Sequence, residues 1–236
     1  MPIIAVVGSK KSGKTTTVET LVRGLTKKGY KVATAKHIPE PNFTIDAKGK
    51  DTWRYAKAGA STIMSVAPNE LTVIRKVDTT KYSLEQIIRN CEDDAEIIIL
   101  EGFRKLIGQD PMVPKIVTVK TAEEVLEASK YFKPILAFVG PISAEAKKMK
   151  IPYINIKEHE KLVDLVNAKI AALVERKRKH KEKMMIQVDE HVLPLNPFVQ
   201  KIVRNTILGM ISTLKDVTIK GEENVSIIVK NFSRHE

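Results

Sequence analysis

The string Gly8-Ser9-Lys10-Lys11-Ser12-Gly13-Lys14-Thr15 constrains this chain more than any other. It has the form glycine, four residues, glycine, lysine, threonine, and it follows the apolar run Ile3 to Val7 directly. Behind it, Val18, Leu21, Val22 and Leu25 recur at helical spacing, and Gly29 stands where a helix-ending residue belongs. The spacing therefore predicts a strand, a glycine loop and an amphipathic helix in that order. Glycine lets the backbone curl so that its N–H groups point inward, and the first helical turn adds unpaired N–H groups with partial positive charge. Such a cradle suits a polyphosphate.

A helix terminus contributes only about 0.3–2 kcal/mol to a bound charge, whereas micromolar affinity needs about 8 kcal/mol. Side chains must supply the rest. Lys14 is expected to reach the β and γ phosphates and to act as the catalytic cation. The Thr15 hydroxyl is expected to ligate Mg²⁺, a hard ion that keeps several waters and takes few protein oxygens. The expected phosphate contacts are Gly8, Ser9, Lys10, Lys11, Ser12, Gly13, Lys14, Thr15 and Thr16, with Lys36 and Gly102 approaching from neighbouring strands.

Ile97-Ile98-Ile99-Leu100 is apolar without alternation, as expected of a central strand covered on both faces. Glu101 ends that strand, at the edge where open α/β sheets bind ligands, and is the second expected metal ligand and catalytic group. Gly102 after it allows close backbone approach. Between Lys36 and Gly59 runs a polar, proline-broken segment from which Lys36 and Lys50 are candidate phosphate contacts, His37 a donor, and Asp46 or Asp51 a metal ligand.

Upstream of residue 176, β-rich runs alternate with helical patterns: Ile3 to Val7, Val32 to Ala35, Ile63 to Val66, Thr72 to Lys76, Glu96 to Leu100, Lys115 to Val119, Ile135 to Val139 and Tyr153 to Ile156. The alternation predicts an α/β fold of the P-loop type, a mostly parallel sheet with helices on both faces. Residues 1–175 form the expected nucleotide-binding domain and 176–183 a basic helix end. Residues 184–236 are expected to form a small β-α-β-β unit: a strand from Met185 to Leu193, a helix capped by Asn196-Pro197, and strands Val217 to Lys220 and Val225 to Lys230 around the turn Gly221-Glu222-Glu223-Asn224. So small a unit buries little surface alone and is expected to pack on the first domain or on another subunit.

No apolar run reaches the roughly 18–20 residues of a membrane helix and no leader pattern opens the chain, so a cytoplasmic location is expected. Cys91 is the single cysteine and is given no role. The net charge of +12 favours phosphate-bearing partners. It also raises nucleic-acid binding as an alternative function, but the basic run Arg176 to Lys183 lacks interleaved aromatic residues to stack bases, which makes nucleic acid the lesser partner. A P-loop kinase acting on a small metabolite, with the segment after Lys36 as acceptor site and lid, is the other alternative.

Across residues 3 to 172 the chain resembles the molybdopterin-guanine dinucleotide biosynthesis protein B family, MobB. The resemblance is carried by Gly8 to Thr15, Lys36-His37, Ile45-Asp46 with Gly49-Lys50-Asp51-Thr52, Ala58-Gly59-Ala60, and Glu101-Gly102-Phe103-Arg104 followed by Lys115-Ile116-Val117. It implies a homodimer that binds GTP with Mg²⁺, is at most a slow GTPase, and assists a MobA-type molybdopterin guanylyltransferase. The chain departs from the family where further histidines often follow Lys-His, carrying Ile38-Pro39-Glu40-Pro41-Asn42 instead. Guanine preference rests on the resemblance alone, because no Asn-Lys-x-Asp string is present; the residues themselves leave ATP open. They also name no group that positions the attacking water.

Overall fold

The computed structural model of the chain describes residues 1–91, 95–141, 150–181, 186–188, 191–193 and 195–215. Two compact units divide it, Met1–Lys177 and Arg178–Glu236.

In the first unit a six-stranded sheet is built from β1 (Ile3–Gly8), β2 (Val32–Lys36), β5 (Ile97–Glu101), β6 (Lys115–Thr118), β7 (Ile135–Gly140) and β8 (Tyr153–Asn155). Their order is β2-β5-β1-β6-β7-β8, and every neighbouring pair is parallel. Because side chains alternate across a strand, β5 feeds two cores. Ile97 and Ile99 join Ile4, Val6 and Ile116 on one face, under Leu21 and Leu25 of α1 (Lys14–Lys27) and Leu162, Val166 and Ile170 of α6 (His159–Lys181). Ile98 and Leu100 join Ala5, Val7 and Val117 on the other, under Val125 and Ala128 of α5 (Ala122–Tyr131). This is the parallel sheet with helices on both faces that the alternation predicts.

Gly24 of α1 lies where α1 meets α6: a Cβ there would stand 2.3 Å from Val163 Cγ2. Lys115, at the head of β6, is fully buried. Its ammonium has no carboxylate partner in the described hydrogen bonds and instead donates to the carbonyl oxygens of Asp110 and Lys133, each at 2.6 Å. Burial pushes its pKa down, opposed by Asp110.

The expected strands at 63–66 and 72–76 form but lie apart from the main sheet. β3 (Thr62–Ala67) and β4 (Glu70–Arg75) pair antiparallel as a separate two-stranded sheet. Only Pro68-Asn69 joins them, and a parallel pair needs a crossover of a dozen residues or more. The polar segment is shorter than expected, since Asp51 and Thr52 open the helix α2 (Asp51–Lys57). Two short helices, α3 (Leu84–Arg89) and α4 (Arg104–Ile107), complete the described elements of this unit.

In the second unit, the stretch expected as one strand from Met185 to Leu193 contains two, β9 (Ile186–Val188) and β10 (His191–Leu193), paired antiparallel. Asp189-Glu190, residue types depleted from strands, separate them in the sequence. α7 (Pro197–Ser212) begins where its cap predicts, with the Asn196 side chain accepting from the Val199 N–H. The expected strands Val217 to Lys220 and Val225 to Lys230, and the turn between them, lie outside the described residues. Among the described residues, no helix is long and apolar enough to cross a membrane.

Candidate phosphate-binding site

The loop between β1 and α1 leaves the sheet at its carboxyl edge, between β5 and β6. Gly8 admits no side chain: a Cβ would stand 2.2 Å from Thr118 Oγ1 and 2.3 Å from the Thr118 carbonyl oxygen. Gly13 caps α1 in the left-handed region at φ 93°, and a Cβ there would meet Ile156 Cδ1 at 2.7 Å. Lys11 is left-handed too, at φ 60°, a conformation that costs an L residue about 1–2 kcal/mol. Alternation of this kind turns successive N–H groups toward one concavity.

Ser12 and Thr118 brace the loop from within. Their hydroxyls lie 2.6 Å apart, with Ser12 Oγ also 2.8 Å from the Ser9 carbonyl oxygen and Thr118 Oγ1 3.1 Å from the Val7 carbonyl oxygen. Each hydroxyl carries one hydrogen, so the pair can make two of these three bonds at a time.

Lys14, the first residue of α1, folds back over the loop. Its ammonium donates to the carbonyl oxygens of Gly8 at 3.3 Å and Ser9 at 2.5 Å. Burial lowers its pKa; Glu101 opposes that shift, while Arg104, Lys36 and Lys120 add to it. Lys14, Lys36, Arg104 and Lys120 thus outnumber the carboxylates Glu101 and Glu124 around the loop, an excess of positive charge suited to a polyanion.

Register explains why that carboxylate is here. Glu101 is the last residue of β5 and pairs with Val6 of β1 on one side and Lys36 of β2 on the other. Although Glu101 is buried, its Oε1 accepts from the Thr15 hydroxyl at 3.2 Å and pairs with Lys36 Nζ at 3.2 Å. Thr15 and Glu101 offer hard oxygen donors side by side, a donor set that fits Mg²⁺ when the remaining positions come from phosphate and water. Among the described residues, no group of three or more His, Cys, Asp or Glu could hold a metal ion.

Gly102 follows at φ 89°, with its N–H bonded to the Val6 carbonyl oxygen at 2.9 Å. A Cβ on it would stand 3.3 Å from His37 Cβ. The His37 N–H donates to the Glu101 carbonyl oxygen at 2.9 Å, and its ring packs against Phe103 at 5.4 Å between centroids. His37 is therefore placed for packing at the strand ends. Thr16 is exposed on the first turn of α1, and Lys10 and Lys11 are exposed on the loop.

Asp46 stands outside this network. Its carboxylate accepts from Thr52 Oγ1 at 2.8 Å and its N–H donates to Thr44 Oγ1 at 3.3 Å, so it braces its own segment. Asp51 lies in the first turn of α2 and pairs with Arg54 at 3.5 Å. Thr118, Lys120 and Glu124 border the loop without having been expected there. The one available signal was position, since Thr118 ends the strand that neighbours β1 and Lys120 and Glu124 follow it.

The model of the family described as molybdopterin guanine dinucleotide synthesis protein B matches residues 3–140. A Methanocaldococcus jannaschii protein, provisionally named a molybdopterin-guanine dinucleotide biosynthesis adapter protein, is 31% identical over 96% of this chain and 99% of its own length. The Haemophilus influenzae molybdopterin-guanine dinucleotide biosynthesis adapter protein is 32% identical over 49% of this chain and 62% of its own. A crystal structure of molybdopterin-guanine biosynthesis protein B superposes with a TM-score of 0.55 at 27% identity, covering 73% of this chain and 99% of that one. That of Bacillus subtilis MobB gives a TM-score of 0.59 at 23% identity over 72% and 98%, a likeness of fold. The family match covers more than half of the sequence and the archaeal relative nearly all of it, so the chain belongs to the MobB family.

Proposed function

We propose that this chain binds GTP with Mg²⁺ at the loop Gly8 to Thr15 and serves as an adapter to the guanylyltransferase that attaches GMP to molybdopterin. One observation carries the binding half: Lys14, Thr15, Lys36 and Glu101 converge at the mouth of a loop whose glycines have no room for side chains. The names of the relatives support the adapter half.

In this reading the loop N–H groups and the α1 terminus hold the phosphate chain, and Lys14 gives up its bonds to the Gly8 and Ser9 carbonyl oxygens to pair with the β and γ phosphates. Thr15 and Glu101 would hold the cation, which would supply charge to neutralise the phosphates. Lys36 balances the Glu101 carboxylate and adds positive charge where the terminal phosphate lies. Gly102 keeps the strand end open to close approach. Hydrolysis is slow, and the working form is a homodimer in the cytoplasm.

The deciding experiment is reconstitution: the guanylyltransferase, molybdopterin and GTP with and without this chain, alongside copurification of the two proteins. Faster dinucleotide formation and a stable or GTP-dependent complex are expected. No complex and no gain in product would refute the adapter role.

A further inference from the structure

Glu124 bridges the outer limb of the phosphate loop to the connection between β6 and α5. One carboxylate oxygen accepts from Ser9 Oγ at 2.8 Å, and the other from the Lys120 backbone N–H at 2.7 Å. The Lys120 ammonium lies 3.6 Å from the same carboxylate and donates to the Lys10 carbonyl oxygen at 3.5 Å. Ser9 and Lys10 are thus each tied to this connection. The anchor is firm: the Glu124 N–H is capped by Thr121 Oγ1 at 3.4 Å, and the next residue, Val125, lies in the core.

A carboxylate beside a loop built for anions repels the intended ligand, so it needs a compensating benefit. Lys120 offsets the charge, and the bridge supplies order. A loop fixed before binding loses less conformational entropy on binding. We infer that Glu124 is a positioning residue that holds Ser9 and Lys10 in the phosphate-binding conformation; this rests on the loop's being the nucleotide site.

The test compares unaltered chain, Glu124→Ala, Ser9→Ala, the double variant and Ser9→Thr. A glutamine would keep both contacts, its amide nitrogen donating to Ser9 Oγ and its oxygen accepting from the Lys120 N–H, whereas alanine removes both. Amide hydrogen exchange across Ser9 to Ser12 is expected to speed up in Glu124→Ala and Ser9→Ala, and GTP affinity by calorimetry to fall about three- to tenfold in each. The double variant is expected to be no weaker than the weaker single one, and Ser9→Thr, which keeps the hydroxyl, to lose less affinity than Ser9→Ala. Unchanged exchange and affinity in both single variants, or losses that multiply in the double, would overturn the bridge. If the unaltered chain binds neither GTP nor ATP, the nucleotide reading fails instead, and the exchange rates alone decide whether the bridge holds the loop.

Discussion

The Thr15 hydroxyl donates to Glu101 Oε1 across 3.2 Å, joining the first turn of α1 to the end of the neighbouring strand β5. The pair places two hard oxygens at the open end of the loop. If it holds the cation, Glu101→Gln lowers the gain that Mg²⁺ brings to GTP binding by about ten- to a hundredfold, the value of one contact to a charged group. Affinity without Mg²⁺ does not fall, since the variant removes a negative charge. Paired titrations with Mg²⁺ and with chelator check this, and an undiminished magnesium effect would remove Glu101 from the cation site.

Lys14 makes nucleotide affinity depend on pH in the alkaline range. Burial holds its pKa below the ordinary 10.5, and a bound phosphate raises it again, so binding takes up a proton between the lowered value and the raised one. Affinity therefore declines as pH climbs through that window. The ligand-free protein behaves oppositely: its folded state binds the proton less tightly than the unfolded chain, so stability rises with pH from the lowered value up to 10.5. Calorimetry in buffers of different ionisation enthalpy should show proton uptake for the unaltered chain and none attributable to this residue in Lys14→Met.

Gly24→Ala tests the contact between α1 and α6. The methyl group meets Val163 at 2.3 Å, and overpacking of that kind costs about 1–3 kcal/mol. Alanine's better helix propensity returns about 1 kcal/mol. A net loss of up to about 2 kcal/mol in chemical unfolding follows. Adding Val163→Ala opens space for the new methyl, so the double variant should be more stable than the two single effects sum to. Strict additivity would mean that the helices simply move apart.

How much of this was legible in the sequence differs by element. The string Gly8 to Thr15 marked the loop because its chemistry is local, and the place of Glu101 beside that loop was legible because an unbroken apolar strand ends there. Ile97 to Leu100 declared burial on both faces, which the two cores bear out. Pairing partners were harder. The runs at Ile63 and Thr72 showed strand chemistry, but their separation into an antiparallel pair depended on the two-residue join Pro68-Asn69, which the broader alternation obscured. Thr118, Lys120 and Glu124 were missed because their closeness to the loop arises from β6 lying beside β1, over a hundred residues away in sequence. Likewise, nothing local marks Lys115 as a buried ammonium or Gly24 as a helix contact, since each depends on what tertiary packing lays against it.

The most direct measurement is calorimetric titration of the chain with GTP and with ATP, each with and without Mg²⁺, repeated on Lys14→Ala. The account predicts GTP binding strengthened by Mg²⁺, weaker binding of ATP, and at least a tenfold loss of affinity when the ammonium is removed, as for other contacts between charged groups. Equal binding by the unaltered chain and Lys14→Ala, or no heat with either nucleotide, would contradict it.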